Sequence, residues 1–166
     1  MNPIIRLAVK EDGPFLWEML YYAAHMDEDA GVSPESAKTN PDLMKYVKDW
    51  GRETDIGSIA LEPDCNQPIG AAWIRLLAVD EKTASYTDDS TPELALAVLP
   101  QYIGHGVGTL LLQHLLEEVK RYYPRVVLSV RTTNPAKRLY ERMGFVVTGE
   151  IVNRVGTSSV SMIKQF

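Results

Sequence analysis

Residues Val98–Leu112 read VLPQYIGHGVGTLLL, and the fold turns on how they are understood. An extended apolar run ends at Pro100, glycines follow at alternate positions (Gly104, Gly106, Gly108), and an apolar helix begins at once. Glycine lets a backbone turn sharply and approach a ligand closely. A helix start leaves several amide N–H groups without intrahelical partners, at the positive end of the macrodipole. Together these make an anion cradle, most often for phosphate, and the stretch predicts a bound pyrophosphate. Two familiar versions do not fit. The G-x-G-x-x-G dinucleotide fingerprint needs a glycine where Thr109 stands, and no Gly-Lys-Ser/Thr closes a P-loop. Alone, a plain turn and helix start would read the same way.

A second block, Asn134–Phe145, reads NPAKRLYERMGF. With both blocks in view, the chain resembles the GNAT superfamily of N-acetyltransferases. In that family a strand, a V-x-P step and a glycine turn bind the pyrophosphate of acetyl-CoA, and a later helix carries an asparagine, a tyrosine and a closing Gly-Phe. Val98, Pro100, Gly104, Gly106 and Gly108 match the first block; Asn134, Leu139, Tyr140, Gly144 and Phe145 match the second, with Ala136 one place from its usual position. The resemblance is sharp from about Glu93 to Phe145 and general elsewhere. It departs at Ile103, where the family commonly has Arg or Gln. The backbone amides of Gly104, His105, Gly106, Val107, Gly108 and Thr109 are then left to carry most of the phosphate binding.

A length of 166 residues, 45% of them hydrophobic and 23% charged, suits one domain (1–166) with a proper core. The net charge of −5 argues mildly against nucleic acid and leaves room for cationic substrates. The single cysteine, Cys65, excludes an internal disulfide or a cysteine metal cluster, so no metal is expected. The N-terminus lacks a signal-peptide pattern, and no apolar run approaches the ~20 residues of a membrane span. A cytoplasmic protein without a membrane partner, monomeric or homodimeric, is the expectation.

In chain order, Ile4–Val9 reads as a strand, and Asp12, Gly13 and Pro14 as the start of a helix burying Leu16, Met19, Leu20 and Ala23. His25–Pro41 reads as a loop or short helix, and Leu43–Trp50 as a second helical stretch. Ile56–Leu61, Ile69–Val79 and Glu93–Leu99 read as strands. A helix from about Gly106 to Tyr122 follows, burying Leu111, Leu112, Leu115, Val119 and Tyr122, then a strand at Val126–Val130. A helix capped by Asn134 ends at Gly144, and Phe145–Val152 with Ser158–Ile163 form a closing hairpin. This order predicts an α/β fold, a mixed sheet covered by helices. The resemblance implies more: a mostly antiparallel GNAT sheet whose two central strands, Glu93–Leu99 and Val126–Arg131, splay apart to admit the pantetheine arm.

The resemblance also implies a chemistry, acetyl transfer from acetyl-CoA to a primary amine within a ternary complex. The amine must lose its proton, the oxyanion needs donors, and the departing thiolate benefits from an acid. Tyr140 matches the family's tyrosine acid; a phenol stays protonated at neutral pH. Asn134 reads both as helix cap and as a contact to the coenzyme arm. A backbone N–H of Leu96, Ala97 or Val98, at a bulge, would serve the oxyanion. For the base, Ser129 stands where some relatives have glutamate. Glu93 matches an acidic position used by others and reads equally as a solvated strand-end charge; His25 is a more distant option. The acceptor, a small-molecule or peptide amine, is expected against the first two helices and the last hairpin. There Asp27, Glu28 and Asp29 read as a cation attractor or as a solvated loop run, and Tyr21, Tyr22, Trp50 and Trp73 as a pocket lining or, more commonly at such spacing, as core. A non-catalytic acyl-CoA-binding sensor or interaction module would share every glycine. Tyr140 favours the enzyme, while Ser129 and Ile103 leave that alternative open.

Overall fold

The computed structural model describes residues 1–28, 33–77, 81, 83, 85–153 and 155–166. Its elements run β1 (Ile4–Leu7), α1 (Gly13–Ala23), α2 (Pro41–Met44), β2 (Ile56–Leu61), β3 (Pro68–Arg75), β4 (Glu93–Val98), α3 (Val107–Val119), β5 (Arg125–Arg131), α4 (Ala136–Arg142), β6 (Val146–Val152) and β7 (Ser158–Gln165). The strands form one sheet ordered β1-β2-β3-β4-β5-β7-β6. Every neighbouring pair is antiparallel except β4 and β5, which are parallel. This is the expected mixed, mostly antiparallel sheet. Residues 78 and 79 of the expected strand over Ile69–Val79, and Asp29, lie outside the described residues.

Strand alternation sorts the core into two layers. On one face Leu94 of β4 packs with Leu111, Leu112 and Leu115 of α3 and with Tyr140 and Phe145, while Leu96 and Val98 pack against the same cluster. On the other, Ala97 joins Leu16, Met19 and Leu20 of α1 with Val47, Trp50 and Trp73. Each fully buried leucine among these contributes about 1.5–3 kcal/mol. Trp50 and Trp73 are therefore core residues, not pocket walls. Their indole N–H groups donate to Val9 O and Tyr46 O, both at 3.0 Å.

Two helices are shorter than expected. α3 stops at Val119, and Tyr122 is 64% exposed rather than buried. The stretch Leu43–Trp50 is helical only to Met44. Beyond it the carbonyls of Lys45 and Lys48 accept from the Arg75 guanidinium instead of from amides of a further helical turn, and Asp49 takes a positive φ of 60°. Arg75 itself is buried against Asp55, with Nε and Nη2 at 3.1 and 2.8 Å from the two carboxylate oxygens. This charged pair, 0% and 2% exposed, replaces helix as the organiser of residues 45–55.

Candidate active site

Strands β4 and β5 meet only at their beginnings. One residue pair, Glu93 with Val127, is in register, and Val127 N–H donates to Pro92 O at 3.1 Å. Beyond it the strands part, and the gap opens into a cavity of about 450 Å³. Leu94, Ala95 and Leu96 line one side, Ser129, Val130 and Arg131 the other. The ends of α1, α2 and the β6–β7 hairpin contribute His25, Lys45, Tyr46, Asn153 and Ser159. Tyr21 and Tyr22, on the last turn of α1, pack edge to face on each other against the core and are not among the lining residues.

The open edge of β4 carries usable donors. Leu99 N–H donates to Ile69 O at 2.8 Å, and β3 and β4 pair one to one from Gly70↔Val98 to Arg75↔Glu93. Antiparallel alternation then commits the Ala97 N–H to β3 and turns those of Leu96 and Val98 toward the gap. No bulge interrupts β4; the irregular pairings lie at Ala60/Leu61 and Val147/Gly149. The donors are exposed because the strands diverge.

At the end of β4 the chain makes a short turn at Pro100–Tyr102 and enters the glycine loop. Gly104 and Gly106 have φ of +86° and +79°, values side-chain-bearing residues rarely adopt, and a Cβ on either would meet nothing within 4 Å. Their faces are open. Gly108 lies inside α3, where a Cβ would meet Leu139 at 3.6 Å and Leu96 at 3.9 Å, so the helix start sits against both α4 and β4. The first backbone bond into α3 is Leu110 N–H to Gly106 O at 3.2 Å. The amides of Gly104, His105, Gly106, Val107, Gly108 and Thr109 find no acceptor among the described residues. His105 is exposed beside them, as is Ile103 at 66%. His114 instead faces the sheet, with Nδ1 2.7 Å from Ser58 Oγ.

Tyr140 and Glu93 both line the cavity and are both buried, at 6% and 4% exposure. Tyr140 packs edge to face on Phe145, 5.7 Å between centroids, and burial pushes its phenol above the usual value. Glu93 is no solvated strand end. Its Oε1 accepts from Thr83 Oγ1 at 2.8 Å, and its buried Oε2 has no partner among the described residues. Burial raises its pKa, outweighing the Tyr46 and Thr83 hydroxyls and the Lys45 charge. Asn134 caps α4 by accepting from Ala136 N–H at 2.9 Å, and its Nδ2 lies 3.5 Å from His25 Nε2. Burial, followed by Arg131, lowers the pKa of His25. Glu28 is tied to Arg131 at 2.8 Å, and Cys65 is an exposed loop thiol hydrogen-bonded to Glu62. Lys45, Tyr46 and Thr83 were not foreseen from the sequence; the signal available was a charged Arg75 closing the otherwise apolar PIGAAWIR.

Comparison with known proteins agrees with this fold. The family model described as an acetyltransferase (GNAT) domain matches residues 74–166. The fold is similar to that of yncA, a putative acetyltransferase from Salmonella typhimurium solved with acetyl-CoA (21% identity, TM-score 0.67, 99% of this chain and 94% of that one). It is similar also to a putative GnaT-family acetyltransferase from Bordetella pertussis (20%, TM-score 0.70, 99% of each chain). A third similar structure is AAC(6')-Ib in complex with ribostamycin and coenzyme A (21%, TM-score 0.65, 99% and 94%). No curated protein sequence matches.

Proposed function

Because the chain belongs to the GNAT acetyltransferase family, we propose that it transfers an acetyl group from acetyl-CoA directly to a primary amine bound in the same cavity. One observation carries this reading: β4, whose first residues line a cavity that holds Glu93 and Tyr140, runs on into a loop whose six amides have no acceptor among the described residues. The open faces of Gly104 and Gly106 fit a diphosphate, which the amides from Gly104 to Thr109 would hold. Asn134 Nδ2 and the gap-facing N–H groups of Leu96 and Val98 suit a polar arm laid between the strands. When bound, acetyl-CoA supplies an activated thioester.

The protein's own groups do the rest. Glu93 accepts the amine proton, directly or through water, and its raised pKa brings it closer to working pH as a base. The Leu96 and Val98 N–H groups donate to the carbonyl oxygen as charge develops on it. Tyr140, kept protonated by burial, donates a hydrogen bond to the departing sulfur. The acceptor enters from the side of α1, residues 42–46 and the β6–β7 hairpin, opposite the glycine loop.

The test is thioester cleavage with a panel of amines. Tyr140→Phe is expected to lower kcat by about 100-fold while coenzyme affinity and the thermal midpoint stay near wild type. Coenzyme binding without turnover on any amine would instead identify a sensor or interaction module.

A further inference from the structure

The turn opposite the glycine loop is held far more firmly than its lack of helix suggests. Arg75 Nη1 donates to Lys45 O at 3.2 Å and to Lys48 O, while the rest of its guanidinium is engaged by Asp55. Trp73 Nε1 donates to Tyr46 O at 3.0 Å. Two buried side chains of β3 thus fix the backbone of Lys45–Tyr46, and both residues of that dipeptide line the cavity. Such pinning aims a side chain as a strand or helix would.

The charges facing the cavity are unequally matched. Arg131 is tied to Glu28 at 2.8 Å, and Asp42 lies exposed at the rim, where water screens it. The half-buried Lys45 side chain has no ion-pair or hydrogen-bond partner among the described residues, and the buried Glu93 Oε2 has no hydrogen-bond partner among them. Lys45 is near enough to Glu93 for its charge to act on the carboxyl group. One wall therefore holds a cation without a partner among the described residues beside a carboxyl group whose Oε2 the neighbouring Tyr46 and Thr83 hydroxyls leave without a close hydrogen bond. A polyamine would satisfy only the second and be repelled by the first. A molecule with an amine and a carboxylate on the same carbon satisfies both, and it is small enough to share a cavity of about 450 Å³ with a thioester.

We propose that the acceptor is a free α-amino acid, its amine set against Glu93 and its carboxylate paired with Lys45. This rests on the acetyl-transfer reading above and makes Lys45 the residue that determines acceptor specificity.

The experiment measures CoA release from acetyl-CoA with the twenty L-amino acids, their carboxamides, spermidine and a tripeptide. Free acids are expected to exceed their matched carboxamides by on the order of 30-fold in kcat/KM, the discrimination one charged hydrogen bond supplies. Lys45→Met should collapse that ratio toward unity through KM, and Lys45→Arg should keep most of it. The wild-type ratio stands even if a variant fails to fold. Carboxamides, tripeptide or spermidine turning over as fast as the acids would overturn the proposal and leave amine acetylation intact, as would a Lys45→Met variant that keeps the full ratio. Coenzyme binding with no turnover on any amine would sink the acetyl-transfer reading, and this proposal with it.

Discussion

The two regions that frame the proposed site are built on different principles. At the proposed coenzyme end, the glycine loop, α3 and α4 follow local rules: left-handed glycines, first-turn amides without acceptors among the described residues, and an asparagine side chain bonded to the first turn of α4. At the proposed acceptor end, residues 41–55 have almost no regular structure and are held by side chains far away in sequence. Arg75 reaches Lys45, Lys48 and Asp55, and Trp73 reaches Tyr46. One end is fixed by its own sequence and the other by β3. The coenzyme end should therefore tolerate damage elsewhere, whereas the acceptor end should fail when a single buried group of β3 is removed.

Arg75→Met breaks this comparison most severely. It leaves Asp55 buried without its cation, and the expected loss is about 3–5 kcal/mol in urea unfolding. Residual folded protein should still bind coenzyme while losing acceptor turnover. If affinity for coenzyme fell as steeply as turnover, the two ends would not be independent.

Glu93→Gln acts where the ends meet. A fall of about 100-fold in kcat/KM is expected, together with loss of the acid limb of the pH profile. In the wild type that limb should lie above the ordinary carboxylate value of 4.5, because burial raises the Glu93 pKa. The stability effect has the opposite sign. A raised folded-state pKa stabilises the fold while Glu93 is protonated, and this contribution is lost as pH rises through the folded value. The Gln variant should thus be relatively more stable at neutral pH than in acid, measured as the difference in thermal midpoint between the two proteins across pH 4–8.

Ile103→Arg is the mildest change and sharpens the view of the coenzyme end. Residue 103 is 66% exposed beside the unpaired amides, so a guanidinium there should tighten coenzyme binding by only a few-fold, about 0.3–1 kcal/mol, and less at high salt. Unchanged affinity would mean that the side chain does not reach the phosphates.

The same contrast explains what the sequence could reveal. The sheet, α1, α3, α4 and the glycine loop were legible because periodicity, caps and glycines act over a single turn of chain. Glu93 was legible as a residue but not as a buried one, since nothing in TPELALAV shows that Thr83 and Tyr46 close over it. Trp50 and Trp73 read as core or as pocket, core being the commoner case, and their burial with indole N–H groups bonded to backbone carbonyls settles it for core. The turn at 45–50 imitates a helix in its apolar spacing, and only the guanidinium of Arg75, 30 residues later than Lys45, overrides it.

The divergence of β4 and β5 leaves a sheet edge inside the molecule. A free strand edge on a protein surface invites pairing with other chains and aggregation. Here the walls around the opening shield the unpaired peptide groups from a foreign strand while leaving them within reach of a slender guest. Recognition of an extended, amide-bearing ligand can thus coexist with resistance to self-association, because the adhesive edge faces inward.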